Sequence, residues 1–342
     1  MSVSAAHAAR PSDQPAAWIA WVAAARAWLF LALLIIGFEA WAEFADGISF
    51  IANPYNIRSI AVFAVAPLLL AIGQTFVIIS GGIDLSVGFT MGFASVVVSN
   101  TVNLAGAQFG TAVGLVCGVA AALVASVIPG LVNGLLIARL RVPPFIGTLG
   151  MYGVARGVAY LLAGGTTVPV ANPALEYIGN GSLGGLPVVV LLTVVAMLVL
   201  HYLLSQSRFG QYVYAIGGNR AAAVRAGINV RRVTIYIYVL SALCAAVGGI
   251  LYAGRFSAGA AQAGEPLLLD SIAAVVIGGA SLFGGSGTIV GTLIGALIVA
   301  VIQYGLVFIN VEPFWQFVAV GVVIIISVLV DQAQRKGGRV DE

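Results

Sequence analysis

Long apolar stretches broken by short polar links occupy the chain from about residue 27 to residue 331. A membrane-crossing helix takes about 20 residues. Ten stretches of roughly that length fall at 27–45, 57–80, 87–104, 111–137, 145–163, 187–204, 233–253, 267–283, 288–309 and 314–331. Proline marks many of the joins, at Pro143, Pro144, Pro173, Pro187, Pro266 and Pro313. The pattern predicts an all-α integral membrane protein of about ten transmembrane helices. Residues 1–26 form an N-terminal tail, 27–331 the transmembrane domain and 332–342 a C-terminal tail, with 205–232 as the longest polar link. The Ala/Ser/Pro-rich residues 1–17 are expected to be disordered, and the first apolar stretch is too long and too poorly terminated for a cleaved signal peptide.

Charge orients this pattern. With the N-terminus in the cytoplasm, twelve of the fifteen basic residues lie inside, only Arg58 and Arg255 lie outside, and Arg156 falls within a span. Glu39, Glu43, Asp46, Glu176, Glu265, Asp270 and Glu312 gather toward the outer face. That asymmetry is a positive-inside signal, and an even number of spans puts both termini in the cytoplasm. Trp18, Trp21 and Trp28 at one end of the first stretch, and Trp41 and Trp315 at outer ends, read as interfacial anchors. Composition agrees: 61% of residues are hydrophobic and 8% charged, against about 25% charged in soluble domains. No large soluble domain fits. The 43 glycines suit closely packed, interrupted membrane helices.

The same composition excludes several chemistries. Lys336 is the single lysine, and Arg335 stands where a phosphate-binding loop needs its second glycine. The chain therefore lacks a nucleotide site of that kind. No HExxH, GxSxG or paired intramembrane aspartates occur, so no catalytic residues and no metal site are assigned. His7 and His201 lie far apart, while Cys117 and Cys244 sit in apolar runs and read as small core residues. A net charge of +3 carried by arginines in short membrane-flanking links does not point to nucleic acid.

Three segments carry most of the remaining polarity. In the 205–232 link, Asn219 is a suitable N-cap, Arg220 to Ala226 is a run of helix formers and Gly227 a stop. A two-turn helix is unstable alone, so it either docks on a partner or belongs to a solvated loop whose arginines set topology. Gly81 and Gly82 end a helix, and Asp84 or Ser86 can cap the next. That break reads as a flexing gate in the transport path or as a tight turn between packed helices. Gly278 to Gly285 repeats its glycine–leucine spacing, a weak sign of two related halves. Arg156 within a span is either a pathway group or a structural residue reaching the interface. Gln74, Asn133, Asn100, Asn103 and Gln303 either line a path or bond across helices.

These residues resemble the ribose/monosaccharide permeases of binding-protein-dependent ABC importers. Ser80-Gly-Gly-Ile-Asp-Leu-Ser-Val-Gly88 looks like that family's complete signature, and Gly217-Gly218-Asn219 with Gly227-Ile228-Asn229 looks like its coupling segment. Asp270 to Gly285, continuing into Gly291–Ile298, and Pro143 to Gly150 with Ala155-Arg156-Gly157, are two further matches. The resemblance implies an inner-membrane permease that imports a monosaccharide by alternating access and performs no bond chemistry. It implies a homodimer in the lipid membrane, a cytoplasmic ATPase that binds ATP and magnesium, and a periplasmic sugar-binding protein. Coupling to the ATPase falls to Gly218, Asn219, Arg220, Ala223, Arg225, Gly227, Ile228 and Asn229. The pathway or gate is expected at Gln74, Gly81, Gly82, Asp84, Ser86, Asn133 and Arg156. Glu265 and Asp270 are the candidate contacts with the binding protein. In one departure, Leu268 stands where many members have a glutamate two residues before the aspartate. The alternative class is an ion-coupled secondary sugar transporter, for which Asp84 and Arg156, both placed near span ends, are the titratable candidates.

Overall fold

The computed structural model describes residues 17–312 and 314–337. The tail up to residue 16, Pro313, residues beyond 337 and the side chains of Trp18, Trp21, Arg335 and Lys336 lie outside the described residues. In chain order the helices are α1 (Ala17–Asp46), α2 (Pro54–Ile79), α3 (Val87–Phe109), α4 (Thr111–Ala138), α5 (Pro144–Ala163), α6 (Pro173–Asn180), α7 (Val188–Gln206), α8 (Arg208–Gly218), α9 (Arg220–Arg225), α10 (Val230–Phe256), α11 (Leu267–Ile277), α12 (Ile289–Phe308) and α13 (Phe314–Gly337). Four two-residue strands form two clips: β1 (Val168–Pro169) pairs antiparallel with β4 (Ala258–Gly259), and β2 (Ser182–Leu183) with β3 (Leu186–Pro187).

Every predicted apolar stretch carries a helix, and among the described residues eight of these helices are long and apolar enough to cross a membrane. The stretch expected as one helix over 267–283 is different. Its helix stops at Ile277 after 11 residues, about 16 Å and half the hydrocarbon thickness. Gly279 takes φ 92° there, allowing Gly279 N to donate to the Val276 carbonyl and Ala280 N to the Val275 carbonyl. The polar links also hold two helices the apolar pattern does not announce. Asn172 caps α6 by accepting from Ala174 N and Leu175 N, with Pro173 in the first turn. Helix α8 precedes the predicted stub.

Helices α2, α3, α10 and α12 are enclosed, while α1, α4, α5 and α7 keep most of their surface outward. On α1, Trp28 and Trp41 are exposed about 20 Å apart along the axis. Cys244 is buried, whereas Cys117 faces outward from α4 rather than into the core.

The segment 257–266 completes the span that α11 leaves half-built. After β4 clips to β1, the chain descends along α3. Ser95 Oγ accepts from Ala260 N and donates to the Ala260 carbonyl, each at 3.0 Å, and Gly264 lies against Gly88 near the start of α3. Irregular backbone at this depth needs internal partners because hydrocarbon offers none, and α3 supplies them. Close approach depends on Gly92, where an added Cβ would overlap the Ala261 carbonyl oxygen. Gly92→Ala is therefore expected to cost about 1–3 kcal/mol and lower the melting temperature in detergent. Gly106→Ala, on the same helix with open space around it, is expected to melt no lower than the parent.

Candidate functional site

The 205–232 link is built by a succession of caps. Ser207 Oγ accepts from Gly210 N at 3.2 Å to start α8, and Asn219 Oδ1 accepts from Ala222 N at 2.9 Å to start α9. Gly227, at φ 82°, ends it: Gly227 N donates to the Val224 carbonyl (3.0 Å) and Ile228 N to the Ala223 carbonyl (3.1 Å). Asn229 Oδ1 then accepts from Arg232 N at 3.1 Å and opens α10. The stub predicted from the sequence thus forms, with each asparagine of the two short patterns starting a helix.

Ala223 is the buried residue of α9, while Arg220, Ala221, Ala222, Val224 and Arg225 face outward. The alanines and arginines therefore share the exposed surface rather than dividing into two faces. Beside them opens a groove of about 950 Å³ against the α4–α5 link, with Arg141, Pro143, Arg220, Val224, Ile228 and Arg231 among its walls.

Helix α8 holds this surface to the transmembrane core. Val213 and Ile216 are buried, and the Phe209 ring stacks on Phe76 of α2 at 6.0 Å. Tyr214 donates to the Gly287 carbonyl at 2.7 Å, and burial pushes its phenol above the ordinary value, which keeps the donor proton in place. Gly285 N donates to the Ile79 carbonyl at 2.8 Å. Gly217 packs directly on that carbonyl, where no Cβ fits, and Gly284 closes over Gly81. Three chain segments thus meet through their backbones immediately before the glycine break. Gly217 and α8 were not singled out as functional in the sequence, although Gly217 belongs to the Gly-Gly-Asn pattern.

The break itself is a buried hydrogen-bond knot. Asp84 Oδ1 accepts from Ser86 N (3.0 Å) and Ser86 Oγ (2.6 Å), and Oδ2 accepts from Ser241 Oγ of α10 (3.0 Å). Gln74 Nε2 donates to the Asp84 carbonyl, and Asn133 Nδ2 of α4 donates to Ser86 Oγ at 2.9 Å. Gln74, Asp84, Ser86 and Asn133 are therefore brought together and fully buried, with Gly81 and Gly82 alongside. Ser241 is a member the sequence did not flag. Ser86 does not cap α3 with its side chain. Asp84 lies three residues before α3, level with Gln74 and Asn133 near the ends of α2 and α4 and with Ser241 eleven residues into α10.

Arg156 sits elsewhere, on α5. Its guanidinium lies 5.3 Å from the Phe89 ring centre and 6.0 Å from that of Tyr160. One turn earlier, Tyr152 donates to Glu265 Oε1 at 3.2 Å. Glu265 and Asp270, the candidate contacts with the binding protein, are thus half-buried and buried among this chain's own residues. Because 257–266 turns back into the span, Glu265 stands opposite the middle of α5. Asp270 is buried on α11, accepting from Gln303 Nε2 at 2.8 Å. Leu268 packs in an apolar cluster with Leu70, Val87 and Met91. Asn100 and Asn103 bond across helices to the Leu162 and Pro169 carbonyls.

A family model described as the permease component of the branched-chain amino acid transport system matches residues 56–328. The chain belongs to this permease family. It is 41% identical over 282 residues to the ribose import permease protein RbsC of Bacillus subtilis, covering 82% of this chain and 85% of the relative. RbsC of Escherichia coli K12 is 37% identical over 271 residues, covering 78% and 82%. The fructose import permease protein FrcC of Rhizobium meliloti is 37% identical over 276 residues, covering 78% and 75%. No solved structure gives a significant match. This permease is a multi-pass inner-membrane protein.

Two contrasts test the geometry. Gly217→Ala is expected to destabilise the permease by about 1–3 kcal/mol while Gly218→Ala, whose Cβ meets nothing, leaves the melting temperature unchanged. Removing a partner from a buried hydrogen bond costs about 1–3 kcal/mol. Ser241→Ala should therefore lower thermal stability by that order, and Asp84→Ala, which strips acceptors from both serines, by more.

Proposed function

We propose that this chain is the transmembrane permease subunit of an ATP-driven ABC importer that moves a monosaccharide into the cell by alternating access. The observation that carries the proposal is the backbone junction of Gly217, Ile79 and Gly285. It ties the exposed helix α9 and its neighbour α8 to the glycine break in the membrane. Relatives named as ribose and fructose import permeases support the sugar assignment. Nothing favours the ion-coupled alternative.

In this scheme a cytoplasmic ATPase subunit binds ATP and magnesium and docks on α9 and the groove beside it, while the permease chain holds no cofactor and does no bond chemistry. Closure of the ATPase pair displaces α9, and α8 carries the displacement to the end of α2. There the displacement acts on the Asp84 knot, whose making and breaking would switch the break between arrangements. A second copy of the chain completes the unit, and a periplasmic sugar-binding protein delivers the substrate.

The outward face of α5 supports a homodimer. Leu149 and Val154 are exposed, and Gly150, Gly153 and Gly157 meet nothing. Arg156 is exposed on another side of the same helix, and an arginine at this depth is costly toward lipid but acceptable along a wet path between copies.

Val224→Glu with Arg225→Glu tests the coupling surface. Both side chains are exposed, and exposed substitutions typically shift stability by less than about 0.5 kcal/mol. The variant should fold normally yet lose co-purification with the ATPase and ATP-driven uptake in proteoliposomes. Normal assembly and uptake would remove α9 from the coupling role.

A further inference from the structure

We propose that Glu265, Tyr152 and Arg156 form a half-span station that receives the hydroxyl groups of a neutral monosaccharide in transit. This rests on the importer reading above and adds a binding site to it.

Depth comes first. Tyr152 lies eight residues into the 20-residue helix α5, so its bond to Glu265 fixes that carboxylate near the middle of the span. Glu265 belongs to the turn-rich segment 257–266 rather than to a helix. Non-helical backbone at this level persists only when it is buried in protein or borders water. Glu265 is half-buried, and Arg156 is exposed. A carboxylate and a guanidinium that both retain exposure at mid-span mark a wet path rather than lipid. Their contacts also differ from those of the Asp84 knot. Both Asp84 oxygens are engaged deep inside the protein, whereas Glu265 has one oxygen on Tyr152, and Arg156 rests on the Phe89 and Tyr160 rings.

The chemistry then narrows the ligand. Glu265 offers acceptors, Arg156 a planar fork of donors, and Tyr152 a hydroxyl able to do either. Half-buried Tyr160 adds aromatic surface for the C–H face of a sugar ring, while Phe89, fully buried and edge-on to Tyr152 at 4.6 Å, backs the Tyr152 ring. The two charges balance, so a neutral polyol leaves the station neutral, whereas a sugar acid or amine does not. A zwitterionic amino acid also satisfies one carboxylate and one guanidinium. The aromatic surface and the hydroxyl placed between the charges favour the polyol.

The test uses the complete transporter, this chain with its ATPase and binding protein, in proteoliposomes. Labelled pentoses, hexoses, their deoxy analogues and zwitterionic amino acids serve as probes. ATP-dependent uptake of a neutral sugar by the parent is expected. Glu265→Gln, which keeps an acceptor for Tyr152, should lower uptake at subsaturating sugar by about tenfold, the loss expected for one charge-assisted hydrogen bond. Tyr152→Phe should lower it by a smaller factor. Both variants should co-purify with the ATPase as the parent does, and both should narrow the discrimination between the sugar and its deoxy analogues. Parent-like KM, maximal rate and discrimination in both variants would overturn the station while leaving the importer intact. Loss of assembly in both would make the cluster structural and overturn it equally. Preferred uptake of amino acids by the parent would overturn the ligand class, and absence of any ATP-dependent uptake would overturn the importer reading and the station with it.

Discussion

Backbone polar groups cannot be left bare in hydrocarbon, and the architecture follows from how this chain meets that constraint at two interruptions. The 80–86 break is satisfied by side chains: Asp84 and Gln74 bind its amide and carbonyl groups, Ser86 and Ser241 hold the Asp84 carboxylate, and Asn133 holds Ser86. The 257–266 segment is satisfied by packing against α3, where Ser95 serves both backbone groups of Ala260. Helices α2, α3 and α10 are enclosed because the interruptions must be. The more regular α1, α4 and α7 can face lipid.

The two interruptions do different work. Around Asp84, residues of α2, α4, α10 and the break itself join one buried hydrogen-bond network, which suits an element that is either made or broken as a unit. Around Glu265, the groups keep exposure and spare hydrogen-bonding capacity, which suits transient contact with a passing solute. The Gly217–Ile79–Gly285 junction lies between α9 and the Asp84 knot. A displacement of the cytoplasmic surface therefore meets the knot before the mid-span cluster. The absence of Cβ atoms at this junction lets three backbones touch, and rigid backbone contact transmits a small shift with less slack than long side chains would.

Leu268 shows how local context redefines a position. A glutamate there would face Leu70, Val87 and Met91, the buried apolar members of this cluster. The carboxylate that reaches half-span depth in this chain is Glu265, three residues earlier, carried on a turn instead of a helix.

Much of this protein was legible before any coordinates. Runs of apolar residues define the membrane-spanning helices because hydrocarbon thickness imposes one length on every crossing. Asn219, Gly227 and Asn229 announce their caps because capping is a local contract between neighbours a few residues apart. The signature around Asp84 marks the break for the same reason. Hydropathy cannot distinguish a full helix at 267–283 from a half-helix entered by a re-entrant turn, since both are equally apolar. Nor does it tell which side chains Glu265 and Asp270 meet, since their partners, Tyr152 and Gln303, lie 113 and 33 residues away in the chain. The same holds for Ser241 beside Asp84 and for Gly217 on Ile79. Which polar groups meet across such separations is decided by helix packing alone, because only the folded bundle brings their depths into register.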